Sequence, residues 1–345
     1  MKLLYKKNKY RKFMQHKQKK LRKRHWQCKL RQKQKLKYLH IRGRGSITNK
    51  KIKFPKKLYL ESRKEEIFYF ISKAEKIDNP ILDFSQVEQI DIGSALYIKA
   101  FYDFLYNAGG KPIIICSPKN HKMRQILQHI GVADYGLRIT FNDIKCWAVR
   151  VWHTKAAINY GQVLHQEILP GVLDGKIPSA EFSRIASNLQ ELLLNCNEHA
   201  YIEKDTFTNF YLIGGEYQTD SKKSNTFSFC ILDYGQGFKS SLRKNTFFDK
   251  LKSRFNPNSD SELLRAATQG IFNANKRKHS GRGTGLPAVA ENVKLIGGTL
   301  YIYSDKGSFV IQAKEEEKLR DRKYLTKGSI IEVILPISEE GCINI

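Results

Sequence analysis

The chain has 345 residues, of which 61 are Lys or Arg and 33 are Asp or Glu, giving a formal net charge of +28. Of the basic residues, 24 precede the first carboxylate, Glu61, which leaves 37 to balance all 33 acidic residues in the remainder. A hydrophobic fraction of 41% excludes wholesale disorder, and no run offers the roughly 20 apolar residues of a membrane span or the core of a signal peptide.

Residues 1–57 are mostly Lys, Arg and Gln, interrupted by single aromatics such as Tyr5, Tyr10, Phe13, Trp26 and Tyr38. Like charges this dense repel, so a disordered arm is expected, one that orders only against a polyanion. RNA or DNA is the favoured partner, because aromatics set among cations stack on bases. Adsorption to an anionic membrane surface is the weaker reading. No sequence-reading motif accompanies the charge, so binding should be salt-sensitive. The six cysteines, Cys28, Cys116, Cys146, Cys196, Cys230 and Cys342, contain no C-x-x-C pair. Reduced thiols in a cytoplasmic protein are expected.

From Leu58 the composition becomes ordinary. Pro80–Phe84 reads as a strand, Ala95–Tyr106 as a helix, Ile113–Cys116 as a buried strand, and Met123–Ile130 as a helix stopping at Gly131. This βαβα order predicts a parallel pair in a first domain, residues 58–140.

Residues 147–345 have a different rhythm. A helix is expected over Ser183–Ala200, then strands Phe207–Ile213 and Thr226–Leu232. A polar stretch without regular structure follows, from Lys239 to Ser280. Beyond it come a helix over Leu286–Leu295 and strands Thr299–Ser304, Ser308–Ala313 and Ser329–Leu335. Short connections between strands imply an antiparallel sheet with helices on one face. The irregular stretch flanks glycine motifs, which favours a mobile lid over about 239–285. The fold class expected is thus two-domain, α/β followed by α+β.

Three segments carry chemistry. On the Ser183–Ala200 helix, Ile185, Leu189, Leu192, Leu193, Cys196 and Ala200 share an apolar face, while Glu191 and Asn195 stack on a neighbouring one. The carboxylate suits a general base and the amide oxygen suits Mg²⁺. Asp233-Tyr-Gly235-Gln-Gly237-Phe238 follows an apolar strand; its glycines allow close backbone approach and its Asp can accept from an exocyclic amine. Gly281-Arg-Gly283-Thr-Gly285-Leu286 opens a helix, where backbone N–H groups can face a phosphate. A Rossmann fingerprint is disfavoured because no strand precedes these glycines, and no P-loop pattern occurs.

In their order, these segments resemble the GHKL ATPase superfamily, whose nucleotide site is the Bergerat fold. Glu191–Ala200 is similar to its N box, Asp233–Phe238 to its first glycine box and Gly281–Leu286 to its second, with Gly328-Ser329 in place of a Gly-Thr pair. The spacing of Glu191, Asn195 and His199 is most similar to the anti-sigma-factor serine kinases. The resemblance implies ATP and Mg²⁺ as cofactors, Glu191 as general base, and Asn195 holding the metal against the phosphates. It also implies His199 near the phosphates, Asp233 on the adenine amino group, and Gly235 and Gly237 shaping its pocket. Gly281, Gly283 and Gly285 would serve the lid hinge and phosphates, and Ser329 would support the adenine. The chain ends soon after Pro336-Ile337, where gyrase- and MutL-like members continue to a further lysine, so those branches are not implied. His153 and His165 lie where a histidine kinase would carry its acceptor, but no two-helix hairpin surrounds them.

Residues 78–135 resemble a STAS domain, on Ile81-Leu-Asp-Phe-Ser85, Ile90-Asp91-Ile-Gly-Ser94 and Gly109-Gly110 before a strand. The family's phosphorylation motif reads Asp91-Ile92-Gly93-Ser94 here, without the serine after the aspartate. The expectation is a regulatory ATPase or Ser/Thr kinase that acts on a protein partner and pairs as a homodimer. The alternative is a nucleotide-gated interaction module with negligible turnover.

Overall fold

The computed structural model describes residues 50–61, 65–77, 80–109, 113–137, 149–154, 158–164, 166, 179–202, 205, 207–218, 225–243, 259–270, 285–313 and 315–336. They form a mixed α/β structure.

The first half builds a three-stranded parallel sheet in the order β1 (Lys51–Lys53), β3 (Ile81–Asp83), β5 (Ile114–Cys116). A second parallel pair joins β2 (Lys57–Leu58) to β4 (Gln89–Ile90). Helices α1 (Glu66–Ala74), α2 (Ile92–Gly109) and α3 (His121–His129) connect them. The parallel pairing expected from the βαβα order is present, β3 meeting β5 with Leu82 opposite Ile115.

The folded body begins earlier than Leu58, which corrects the arm boundary at residue 57. Strand β1 pairs with β3, and Ile52 and Phe54 are buried between exposed lysines. Alternating Lys-Ile-Lys-Phe is a half-buried strand that the surrounding charge run conceals.

The second half is a five-stranded antiparallel sheet in the order β6 (Arg150–His153), β7 (Asn209–Gln218), β8 (Asn225–Asp233), β10 (Lys318–Pro336), β9 (Thr299–Gln312). Helices α4 (Tyr160–Val163), α5 (Ser179–His199), α6 (Gly237–Arg243), α7 (Asp260–Thr268) and α8 (Gly285–Leu295) complete it. The two strands expected at Thr299–Ser304 and Ser308–Ala313 are one, β9. A single left-handed residue, Asp305 with φ 51°, bends it where Asp-Lys-Gly reads as a turn.

Helices cover both faces of this sheet, not one. Phe210, Leu212, Phe229, Ile231, Ile302 and Ile331 pack against α5 and α8 in a first core. Their neighbours Tyr211, Ile213, Cys230, Leu232, Tyr303 and Ile330 pack against α1 and α2 in a second. Side chains alternate across a sheet, so strands buried on both faces read as continuous apolar runs. Phe229-Cys-Ile-Leu232 is such a run, entirely buried.

The stretch expected to lack regular structure contains α6 and α7. Helix α7 opens on a Ser259-x-x-Glu262 capping box, with Ser259 accepting from the Glu262 N–H at 3.3 Å. It buries Leu263 and Leu264. Residues 244–258 and 271–284 of that stretch, with Lys276-Arg277-Lys278, lie outside the described residues, as do Trp147 and His165. His153 sits exposed on β6, and Trp152 is half-buried against the first core.

Among the described residues no helix is long and apolar enough to cross a membrane. Cys116, Cys196 and Cys230 are free thiols. Ser94, in the Asp91-Ile-Gly-Ser motif, is fully buried. Its N–H donates to Asp91 Oδ1 at 2.6 Å.

Candidate functional site

A cavity of about 410 Å³ opens between α5, the end of β8, α6, the start of α8 and β10. That volume suits a small-molecule site. Each wall follows from local sequence. The apolar face of α5 seats the helix on the sheet, and this leaves Asn195 and His199 on the cavity side. The buried run of β8 ends at Asp233, where glycine lets the chain turn sharply over the helix end.

That turn is laced to the C-terminus of α5. Gln236 N–H donates to the Ala200 carbonyl at 2.9 Å, and Gln236 Nε2 to the His199 carbonyl at 2.7 Å. Carbonyls at a helix end have no intrahelical partner, so the turn supplies one. A Cβ at Gly235 would lie 2.1 Å from the Ala200 oxygen, so only glycine fits there. Tyr201 adds a second tie: its Oη accepts from the Tyr234 N–H at 2.9 Å and donates to the Asn209 carbonyl.

Asp233 is 4% exposed and forms part of the cavity floor. Its Oδ1 accepts from the Gly235 N–H at 3.0 Å. Burial raises its pKa to about 7, against the opposing hydrogen bonds from Gly235 and Ser329. Cys196 lies beside it, and burial pushes its thiol well above the ordinary value. The cysteine is therefore an inert, neutral part of the wall.

Behind the floor, the Phe238 N–H donates to Ser304 Oγ at 2.9 Å, and Ser304 Oγ donates to the Gly328 carbonyl at 2.9 Å. Asp305 Oδ2 accepts from the Lys239 N–H at 2.9 Å and caps the first turn of α6. One buried serine thus joins the Gly237 and Gly328 turns.

Of the residues singled out from sequence, Asn195, His199, Asp233, Gly237, Gly285 and Ser329 line this cavity. Gly235 supports it through Asp233. Glu191, one helical turn before Asn195, is half-buried and is not part of the lining. Gly281 and Gly283 lie outside the described residues. Gly285 starts α8 with φ 38°, and a Cβ there would come 3.9 Å from Asn195 Nδ2. The N-terminus of an 11-residue helix therefore meets the Asn195 amide at one end of the cavity, a setting that favours an anion.

Tyr201, Gln236, Ser304 and Asp305 were not legible as site residues. Only Asp305 carries a signal, its position just before Lys-Gly at a strand bend. Among the described residues no three His, Cys, Asp or Glu side chains converge on a metal. Asn195 and Glu198 line the cavity and carry the oxygens that would hold a hard cation together with a ligand's own oxygens. Compared with protein-family models and with curated proteins, the chain matches none.

Proposed function

We propose that the cavity binds ATP with Mg²⁺ in the manner of the GHKL superfamily, with the first half as a STAS-like layer. The observation that supports this best is the convergence on one cavity of Asp233, Asn195 and the Gly285 helix start, three features from segments some 40 to 50 residues apart. Asp233 would accept from the adenine amino group, and the α8 N-terminus would face the phosphates. Mg²⁺ would be held by Asn195 and phosphate oxygens and would neutralise charge on the transferred group.

The activity proposed is ATP hydrolysis or phosphorylation of a protein hydroxyl, with Glu191 positioning or deprotonating the nucleophile. A protein partner, a homodimer and a cytoplasmic setting belong to the same reading. Nucleic acid is proposed as the partner of the basic arm. The alternative, a nucleotide-gated module without turnover, gains from one observation: Glu191 is not among the residues that line the described cavity. Labelled ATP with Mg²⁺ separates the two. Phosphate release or a phosphoprotein that Glu191→Ala abolishes supports the enzyme; saturable binding without turnover supports the module.

A further inference from the structure

Two turns floor the cavity, and both are anchored on the face of the sheet away from it. Asp233 lines the cavity, but Tyr234, next in the chain, is 2% exposed and belongs to the second core. Its hydroxyl donates to Glu75 Oε1 at 2.6 Å, and Glu75 is the C-cap of α1. Its ring centroid lies 5.8 Å from that of Tyr97 and 5.2 Å from that of Phe104, both on α2.

The second turn repeats the arrangement. Ser329 lines the cavity, while the Lys327 ammonium lies 3.4 Å from the Phe104 centroid and 4.9 Å from that of Tyr234. Glu75 Oε1 is 3.9 Å from that ammonium. The Lys327 N–H also donates to Tyr97 Oη at 3.1 Å. A single carboxylate therefore faces both turns. Burial lowers the Lys327 pKa and the Glu75 charge opposes that shift. Filling space between two layers requires none of these polar atoms. A buried phenol meets an ammonium and a carboxylate that both remain partly exposed, and the cluster fixes geometry because each group loses its partner if a turn moves.

We infer that Glu75, Tyr234 and Lys327 are positioning residues through which the α1–α2 layer holds the two ligand-binding turns, so that occupancy of the cavity and packing of that layer are linked. The inference rests on the nucleotide reading above. Linkage is reciprocal: a ligand that fixes the turns tightens α1 and α2, and loosening α1 weakens the ligand.

The test uses the full chain, a non-hydrolysable ATP analogue with Mg²⁺, calorimetry, and amide hydrogen exchange over residues 66–75 and 92–107. Saturating analogue should slow exchange in both segments of the native chain. Glu75→Ala should weaken binding roughly tenfold and remove that slowing. Glu75→Gln keeps an acceptor for the Tyr234 hydroxyl and should restore both. A merely structural Glu75 would change the melting temperature and leave the exchange response intact. Should Glu75→Ala not fold, Tyr234→Phe, which removes one oxygen, carries the same expectation. Native binding with exchange unmoved in both segments, or native affinity in Glu75→Ala or Tyr234→Phe, overturns the inference alone. No binding by the native chain overturns the nucleotide reading, and the inference with it.

Discussion

The α-carbon of Gly328 and the carbonyl oxygen of Asp233 are packed so closely that a Cβ at position 328 would stand 2.0 Å from that oxygen. The antiparallel register places Ser329 opposite Asp233, so this contact sets how the β10 turn meets the cavity floor. Gly328 also has φ 75°, a conformation that L side chains disfavour.

Gly328→Ala should therefore combine backbone strain with a clash and cost more than about 3 kcal/mol. Gly136 is the control, with φ 69° and nothing within 4 Å of an added Cβ. Gly136→Ala should cost only the backbone preference, about 1–2 kcal/mol. Urea unfolding of both variants reads the difference, and equal losses would remove the close approach as the cause.

In the proposed complex Asp233 accepts from the adenine amine as a carboxylate, yet burial raises its pKa to about 7. Below that pH the free protein holds a proton that must leave on binding, so affinity rises with pH. Between pH 6 and pH 8 the dissociation constant of an adenine nucleotide should fall about tenfold. Asp233→Asn cannot titrate and should show only the change due to the phosphates. An identical pH profile in both proteins would rule out Asp233 as the titrating group.

A pair of buried acids lies between the two halves. Glu332, on β10, accepts from Ser228 Oγ at 2.9 Å, and burial raises its pKa to about 8. Asp91 accepts from Leu60 and Ser94 N–H groups and is raised to about 6, again chiefly by burial. The folded state holds protons that the unfolded chain releases near the usual 4.5 for Glu. The contribution of this pair to stability is therefore greatest below that value and declines as pH rises towards about 8, by on the order of 1 kcal/mol per unit for each proton retained. Glu332→Gln keeps the acceptor and removes the titration. Its urea-derived stability should decline less from pH 5 to pH 8 than that of the native chain; parallel curves would exclude Glu332.

Strand β1 begins at Lys51 and buries Ile52 and Phe54. Deleting residues 1–49 should spare the melting temperature and nucleotide binding and abolish salt-sensitive retention on RNA or DNA. Deleting 1–57 removes β1 from the sheet and should cost several kcal/mol through two lost apolar side chains. Equal stability of the two truncations would restore the boundary at residue 57.

Local signals explain what is legible in the sequence. The apolar face of α5, the buried run ending at Asp233 and the glycine turns follow from helix spacing, side-chain alternation and backbone freedom. These features place Asn195, Asp233, Gly237 and Gly285 on one cavity. Less legible features depend on distant partners. That α1 and α2 cover the second face of the sheet is recorded in Phe210–Ile213 and Phe229–Leu232 being apolar at every position. The Ser304 link between turns needs a register that pairs Ser304 with Ser329, which one strand cannot declare. Helix α7 is different: its capping box was present in the sequence, and the polar composition around it concealed the signal.

Isothermal calorimetry of ATP binding, with and without Mg²⁺, tests the proposed nucleotide site most directly. The native chain should bind ATP saturably and more tightly with Mg²⁺. Asn195→Ala should abolish the Mg²⁺ enhancement, and Asp233→Ala should weaken binding at least tenfold, a loss of about 1.4 kcal/mol. No heat of binding by the native chain, or native affinity and Mg²⁺ dependence in both variants, would contradict it.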